Sequence, residues 1–66
     1  MRIRVNGEDV TIGEGSTLGR YLTLSGLDPA TVVVEKNGDI VPGANFATEP
    51  LEEGDSLEVL HFVGGG

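Results

Sequence analysis

Gly64-Gly65-Gly66 close the sequence, directly after the apolar run Glu58-Val59-Leu60-His61-Phe62-Val63. Three glycines are poor structure: each has the largest backbone entropy to lose and no side chain to pack. They suit a flexible tail that threads a slot too narrow for any Cβ. Extended, three residues reach about 10 Å, enough to carry the Gly66 carboxylate clear of a domain. A carboxylate is inert until activated. Attack on ATP would turn it into an acyl-adenylate, open to sulfur or to another nucleophile. The chain would then be a substrate and carrier, with the catalyst elsewhere. A frayed end or a cloning remnant is the plainer reading of the same residues.

Other chemistry is weaker. Gly13-x-Gly15 stands before a helical pattern, as in a phosphate loop, but the next glycine, Gly19, is one position late for the dinucleotide fingerprint and the preceding element reads as a hairpin strand. A turn leading into a helix explains it. Glu52-Glu53-Gly54-Asp55 lacks the alternating ligands and distal Glu of a calcium loop, so a solvated turn is expected. His61 is the only histidine and there is no cysteine, which excludes disulfides, thiol catalysis and clustered His or Cys metal sites. No nucleophile and base stand in a recognisable arrangement. The expectation is therefore no catalytic residue, no metal and no bound cofactor.

The last apolar run carries a second kind of signal. In a strand Leu57, Val59 and His61 share one face, while Glu58, Leu60 and Phe62 share the other. If the first set lies under a helix, Leu60 and Phe62 stand on the open face of the sheet. With Val41 nearby and Glu58 beside them, they form a candidate docking patch of aromatic and aliphatic anchors. A lightly covered second core is the alternative.

Charge sharpens that picture. The chain has 66 residues and a net charge of −7. Residues 1–36 hold all four cations, Arg2, Arg4, Arg20 and Lys36, against five acids, whereas residues 37–66 hold six acids and no cation. A nucleic-acid partner is unfavoured; the acidic half either keeps a small domain soluble or steers a basic partner. No run approaches the roughly 20 apolar residues of a membrane span, and no signal-peptide core follows Met1-Arg2-Ile3-Arg4. The cytoplasm is the expected location.

The elements that must position these residues are legible in outline. Arg2-Ile3-Arg4-Val5 alternates, Asn6-Gly7 turns, and Glu8 to Ile12 alternates again, so a hairpin over about 2–6 and 8–12 is predicted. Leu18, Tyr21 and Leu22 share a helical face, with Ser16 as N-cap and Gly26 as stop, predicting a short helix over about 17–25. Val32 to Lys36 reads as a strand, Asn37-Gly38 as a second hairpin turn, and Asp39-Ile40-Val41 as a return strand ended by Pro42. Phe46 and Leu51 are the anchors of an irregular stretch, and Ser56 to Phe62 is the last strand, central and parallel to the first. Expected core positions are Ile3, Val5, Val10, Leu18, Leu22, Val34, Leu57 and Val59. The compact solution is an α+β fold, a mixed four- to five-stranded sheet with one main helix packed across it: the β-grasp, ubiquitin-like architecture. One domain over 1–63 and a tail over 64–66 follow.

Ile3-Arg4-Val5-Asn6-Gly7, Val32-Val33-Val34-Glu35-Lys36-Asn37-Gly38 leading to Ile40-Val41-Pro42, Gly54-Asp55, and Glu58 through Gly66 occur in that order. Together they resemble the small sulfur carriers of thiamin biosynthesis, over the whole chain. The resemblance implies that an ATP-dependent adenylyltransferase activates Gly66 and that a sulfur donor protein supplies sulfur for a thiocarboxylate. Thiazole synthase then receives the sulfur. Gly64 and Gly65 become the slender approach, and Leu60, Phe62, Val41 and Glu58 the docking candidates. A sulfur carrier for molybdopterin or another pathway, and a ubiquitin-like modifier or binding module, share the tail and stay open at this point.

Overall fold

The structure, a computed structural model, describes residues 1–62. In chain order it runs β1 (Arg2–Val5), β2 (Glu8–Thr11), α1 (Leu18–Leu24), a 3-10 turn (Pro29–Thr31), β3 (Val32–Lys36), β4 (Asp39–Val41), a second 3-10 turn (Gly43–Asn45) and β5 (Ser56–His61). The five strands form one mixed sheet in the order β2-β1-β5-β3-β4. β5 is central, parallel to β1 and antiparallel to β3, and α1 covers one face. This is the β-grasp arrangement expected from the sequence.

Two Asn-Gly turns set both hairpin registers. Asn6 and Asn37 take φ of 51° and 53°, and the glycines after them are also positive, which is the type I′ turn whose twist matches the flanking strands. The first turn pairs Val5 with Glu8 and Ile3 with Val10. The second pairs Lys36 with Asp39, Glu35 with Ile40 and Val34 with Val41.

Helix α1 is shorter by one residue at each end than predicted, and its cap is Thr17, whose hydroxyl accepts from the Arg20 N–H at 3.2 Å. Ser16 does not cap. Its side chain is turned inward, buried, and donates to the Gly13 carbonyl at 2.6 Å. The helix ends as read. Gly26 takes φ 76° and its N–H reaches Thr23 O, while Leu27 N–H reaches Leu22 O, the paired bonds of a Schellman stop. Gly19 weakens the helix by propensity but serves packing. A Cβ there would meet the Phe46 carbonyl oxygen at 3.1 Å and Ala47 Cα at 3.2 Å, and the Gly19 N–H donates to that same carbonyl at 2.8 Å.

The core lies between α1 and the sheet: Ile3, Val5, Leu18, Leu22, Val32, Val34, Val41, Phe46, Leu51, Leu57 and Val59. Seven of the eight expected positions are there. Val10 is only half-buried at its margin, because β2 is an edge strand with no neighbour on its outer side. Phe46 and Leu51 anchor the long connection as predicted. Among the described residues no helix is long and apolar enough to cross a membrane.

Candidate functional site

Strand β5 alternates between the two faces of the sheet. Leu57 and Val59 are buried under α1, while Glu58, Leu60 and Phe62 face outward. Leu60 is 61% exposed and Phe62 54% exposed, so the two largest apolar side chains next to the tail stand in the open. Registered neighbours share a face. Leu60 lies opposite Val33, Glu58 opposite Glu35, and Glu35 opposite Ile40. The outer face thus presents Phe62, Leu60, the half-buried Val33 and the exposed Ile40 beside two facing carboxylates. Like charges directly opposite cost stability. Among the described residues neither carboxylate has an ion-pair partner within 4.0 Å, the three recorded pairs being Arg4–Asp9, Lys36–Glu49 and Lys36–Asp55.

Val41 does not belong to this patch. It is 7% exposed and packs in the core. The Asn37-Gly38 turn pairs it with Val34, and both point toward the helix. Ile40, one residue earlier, takes the outward position that the sequence analysis assigned to Val41.

The start of β5 is built differently. Asp55, expected in a solvated turn, is buried. Its carboxylate accepts from Asn37 Nδ2 at 3.0 Å and from the Glu52 N–H at 2.8 Å. Lys36 Nζ lies 3.9 Å from it, 2.7 Å from Glu49, and donates to the Pro50 carbonyl at 2.9 Å. The bond to Glu49 holds the Lys36 ammonium above the ordinary lysine pKa, against a smaller opposing effect of burial. Asn37 closes the knot: its Oδ1 accepts from the Ser56 N–H at 2.9 Å and its backbone N–H donates to Ser56 O at 2.8 Å. Nothing local in the sequence signals this cluster. The only hint is that Lys36 is the sole lysine and sits in a strand that must lie next to an acidic turn.

Gly13 to Ser16 forms a turn whose Ser16 hydroxyl is spent on Gly13, and the helix behind it has seven residues. His61 is exposed at the end of β5. Among the described residues no group of three or more His, Cys, Asp or Glu is placed to hold a metal ion. Val63 and the tail residues Gly64, Gly65 and Gly66 lie outside the described residues.

Three comparisons bear on this geometry. The family model of the ThiS family matches residues 2–66. The sulfur carrier protein ThiS of Bacillus subtilis (strain 168) is 32% identical over 65 residues, covering 97% of this chain and 98% of that protein. Thiazole synthases of Magnetococcus marinus and Paramagnetospirillum magneticum are 39% and 36% identical over 66 residues, and the chain spans only about a fifth of their length, 20% of each. Among solved structures, the crystal structure of a thiamine biosynthesis protein (ThiS) from Geobacter metallireducens superposes with a TM-score of 0.83 at 32% identity, covering all of both chains.

Proposed function

The chain belongs to the ThiS family, and from that premise we propose that it is a sulfur carrier of thiamin biosynthesis, not a catalyst. The observation that carries the reading is the match, over nearly the whole of both chains, to a carrier of the same size. The finer steps extend it. The Gly66 carboxylate attacks the α-phosphorus of ATP on an adenylyltransferase and pyrophosphate leaves. Hydrosulfide released by a sulfur donor protein then attacks the acyl carbon, the bond to AMP breaks, AMP leaves, and a thiocarboxylate remains on Gly66. That thiocarboxylate gives its sulfur to thiazole synthase. The carrier holds no cofactor of its own; ATP belongs to the activating partner. Gly64 and Gly65 form the narrow approach, and the cytoplasm is the setting.

The body of the domain supplies docking. Leu60, Phe62 and Ile40 give the adenylyltransferase an apolar footing beside the tail, and the facing carboxylates Glu58 and Glu35 suit a basic partner surface. Two thiazole synthases contain a segment like this chain, which supports thiazole synthase as the acceptor over molybdopterin chemistry.

Intact mass decides between the readings. The carrier chemistry requires a free carboxylate on Gly66. Incubation with cell extract, ATP and a sulfide source should replace one oxygen by sulfur. A conjugate to another protein's lysine would select the modifier instead. With purified adenylyltransferase, ATP–pyrophosphate exchange should vanish when Gly66 is deleted and should slow for Gly65→Ala. Normal exchange without Gly66 would refute the terminal-carboxylate chemistry.

A further inference from the structure

The β1–β5 ladder ends early, and one side chain takes over from it. Backbone pairing reaches Val5 opposite Leu57, and the Asn6 N–H still donates to the Leu57 carbonyl at 2.9 Å. At Asn6 the chain enters the left-handed region, φ 51°, and leaves the sheet. The next groups of β5 that point toward β1 are the N–H and C=O of Val59, and no β1 backbone remains to meet them. Asn6 meets both. Its Oδ1 accepts from the Val59 N–H at 2.8 Å and its Nδ2 donates to the Val59 carbonyl at 3.2 Å, across a sequence separation of 53. A carboxamide has one acceptor and a donor in the arrangement of a peptide unit, so it stands in for the missing rung.

Resting on the carrier reading above, we propose that Asn6 is a positioning residue for partner docking: its amide holds the last stretch of β5 so that Leu60 and Phe62 are presented in register. Two requirements meet in one residue. The turn needs a residue tolerant of positive φ, which asparagine and glycine are. The strand needs a two-way hydrogen-bonding side chain, which glycine lacks and aspartate supplies by half. Asparagine alone of the three meets both. The location matters because Val59 lies one residue before Leu60 and three before Phe62, both exposed and neither packed in the core.

The same strand offers an internal control. Asn37 holds its first residue, Ser56, through Oδ1 on the Ser56 N–H and its own backbone N–H on the Ser56 carbonyl, but four residues from Leu60 and with its Nδ2 spent on Asp55 in the polar knot.

The test compares Asn6→Gly, Asn6→Asp and Asn37→Gly with the parent chain. Hydrogen exchange is read at each amide, and ATP–pyrophosphate exchange is read with purified adenylyltransferase. Asn6→Gly keeps the turn and removes the amide. Exchange at Val59 N–H should rise about tenfold, as expected for losing a bond of ordinary strength, with Leu57 and Val34 unmoved. The KM for the carrier should rise roughly five- to tenfold on the same reasoning, with kcat within about twofold. Asn6→Asp keeps the acceptor for Val59 N–H but sets its second oxygen against the Val59 carbonyl, so the Val59 amide should keep part of its protection while KM still rises, and the claim stays testable even if the glycine variant folds poorly. Asn37→Gly should lower the melting temperature at least as much while leaving KM within about twofold. An unchanged KM in Asn6→Gly overturns the proposal, as does an equal KM increase in Asn37→Gly, which would make the effect one of stability. No exchange with the parent chain would overturn the carrier reading itself, and the docking role with it.

Discussion

The two ends of β5 are built on opposite plans. Its start is closed: Asp55 is buried, bonded by Asn37 and Glu52, and flanked by the Lys36–Glu49 pair. Its end is open, with Leu60 and Phe62 more than half exposed. The polar groups are inside where the strand begins, and the apolar ones are outside where it finishes. Folding alone favours neither inversion, since burial of charge costs and exposure of Leu and Phe forgoes about 1.5–3 kcal/mol each. The first makes sense as an anchor that fixes where the strand begins. The second makes sense as a surface awaiting another protein. On the proposed reading, a single strand carries structural specificity at one end and recognition at the other.

The largest effect should come from the residue that joins the two ends. Leu57 is fully buried and pairs with both β1 and β3. Leu57→Ala should cost about 2–5 kcal/mol. A domain of this size draws only about 3–5 kcal/mol from its core, so the variant should be largely unfolded, with circular dichroism as the readout. A cooperative melt near that of the parent would show that β5 is not the keystone.

Next comes the closed end. Asp55→Ala strands the Glu52 N–H and the Asn37 amide and removes one anion from Lys36, for a loss of about 1–3 kcal/mol. Denaturant titration measures it. Among molecules still folded, affinity for the adenylyltransferase should be unchanged, because the knot does not touch the outer face of Leu60 and Phe62. The open end should behave in reverse. Leu60→Ala and Phe62→Ala should shift stability by no more than about 0.5 kcal/mol while weakening binding by more than about 1 kcal/mol, as buried aromatic anchors do. Calorimetry with the purified partner checks this. Loss of folding without loss of affinity, in either variant, would dissolve the contrast between the ends.

Much of this was legible in advance, and one error is instructive. The outward phase of Leu60 and Phe62 follows from strand period once Leu57 is placed in the core. The same logic applied to β4 corrects Val41. A two-residue turn at Asn37-Gly38 forces 36 to pair with 39 and 34 with 41, so a core Val34 requires a core Val41 and an exposed Ile40. That signal was present and needed only the register arithmetic of the hairpin. The Asp55 knot and the Asn6 clamp are another matter. Apart from the local Glu52 N–H to Asp55 bond, they join residues distant in sequence, in the case of the clamp 53 positions apart, and depend on how closely segments approach in space, which no local pattern encodes. The cap moved from Ser16 to Thr17 for a related reason: both hydroxyls suit the role, and the decision lies in which one the core draws inward.

The smallest effect isolates Lys36. Its ammonium is held above the ordinary lysine value by the bond to Glu49, so the folded state binds that proton more tightly than the unfolded chain does. The stabilisation is then complete below the unfolded value of about 10.4 and is lost as pH rises through the raised folded value. Stability should therefore hold level through neutral pH and fall on the alkaline side of about 10.4. Both partners keep some exposure, 18% for Lys36 and 26% for Glu49, so the loss should be a fraction of that expected for Asp55→Ala. Glu49→Gln removes the charge and leaves an amide that still accepts a hydrogen bond. In that variant the alkaline decline should be shallower, and the difference between the two pH profiles, measured by urea denaturation from pH 8 upward, belongs to this pair. Identical profiles would mean that Lys36 draws its stabilisation from Asp55 and the Pro50 carbonyl alone. The closed end of β5 would then rest on one carboxylate instead of two.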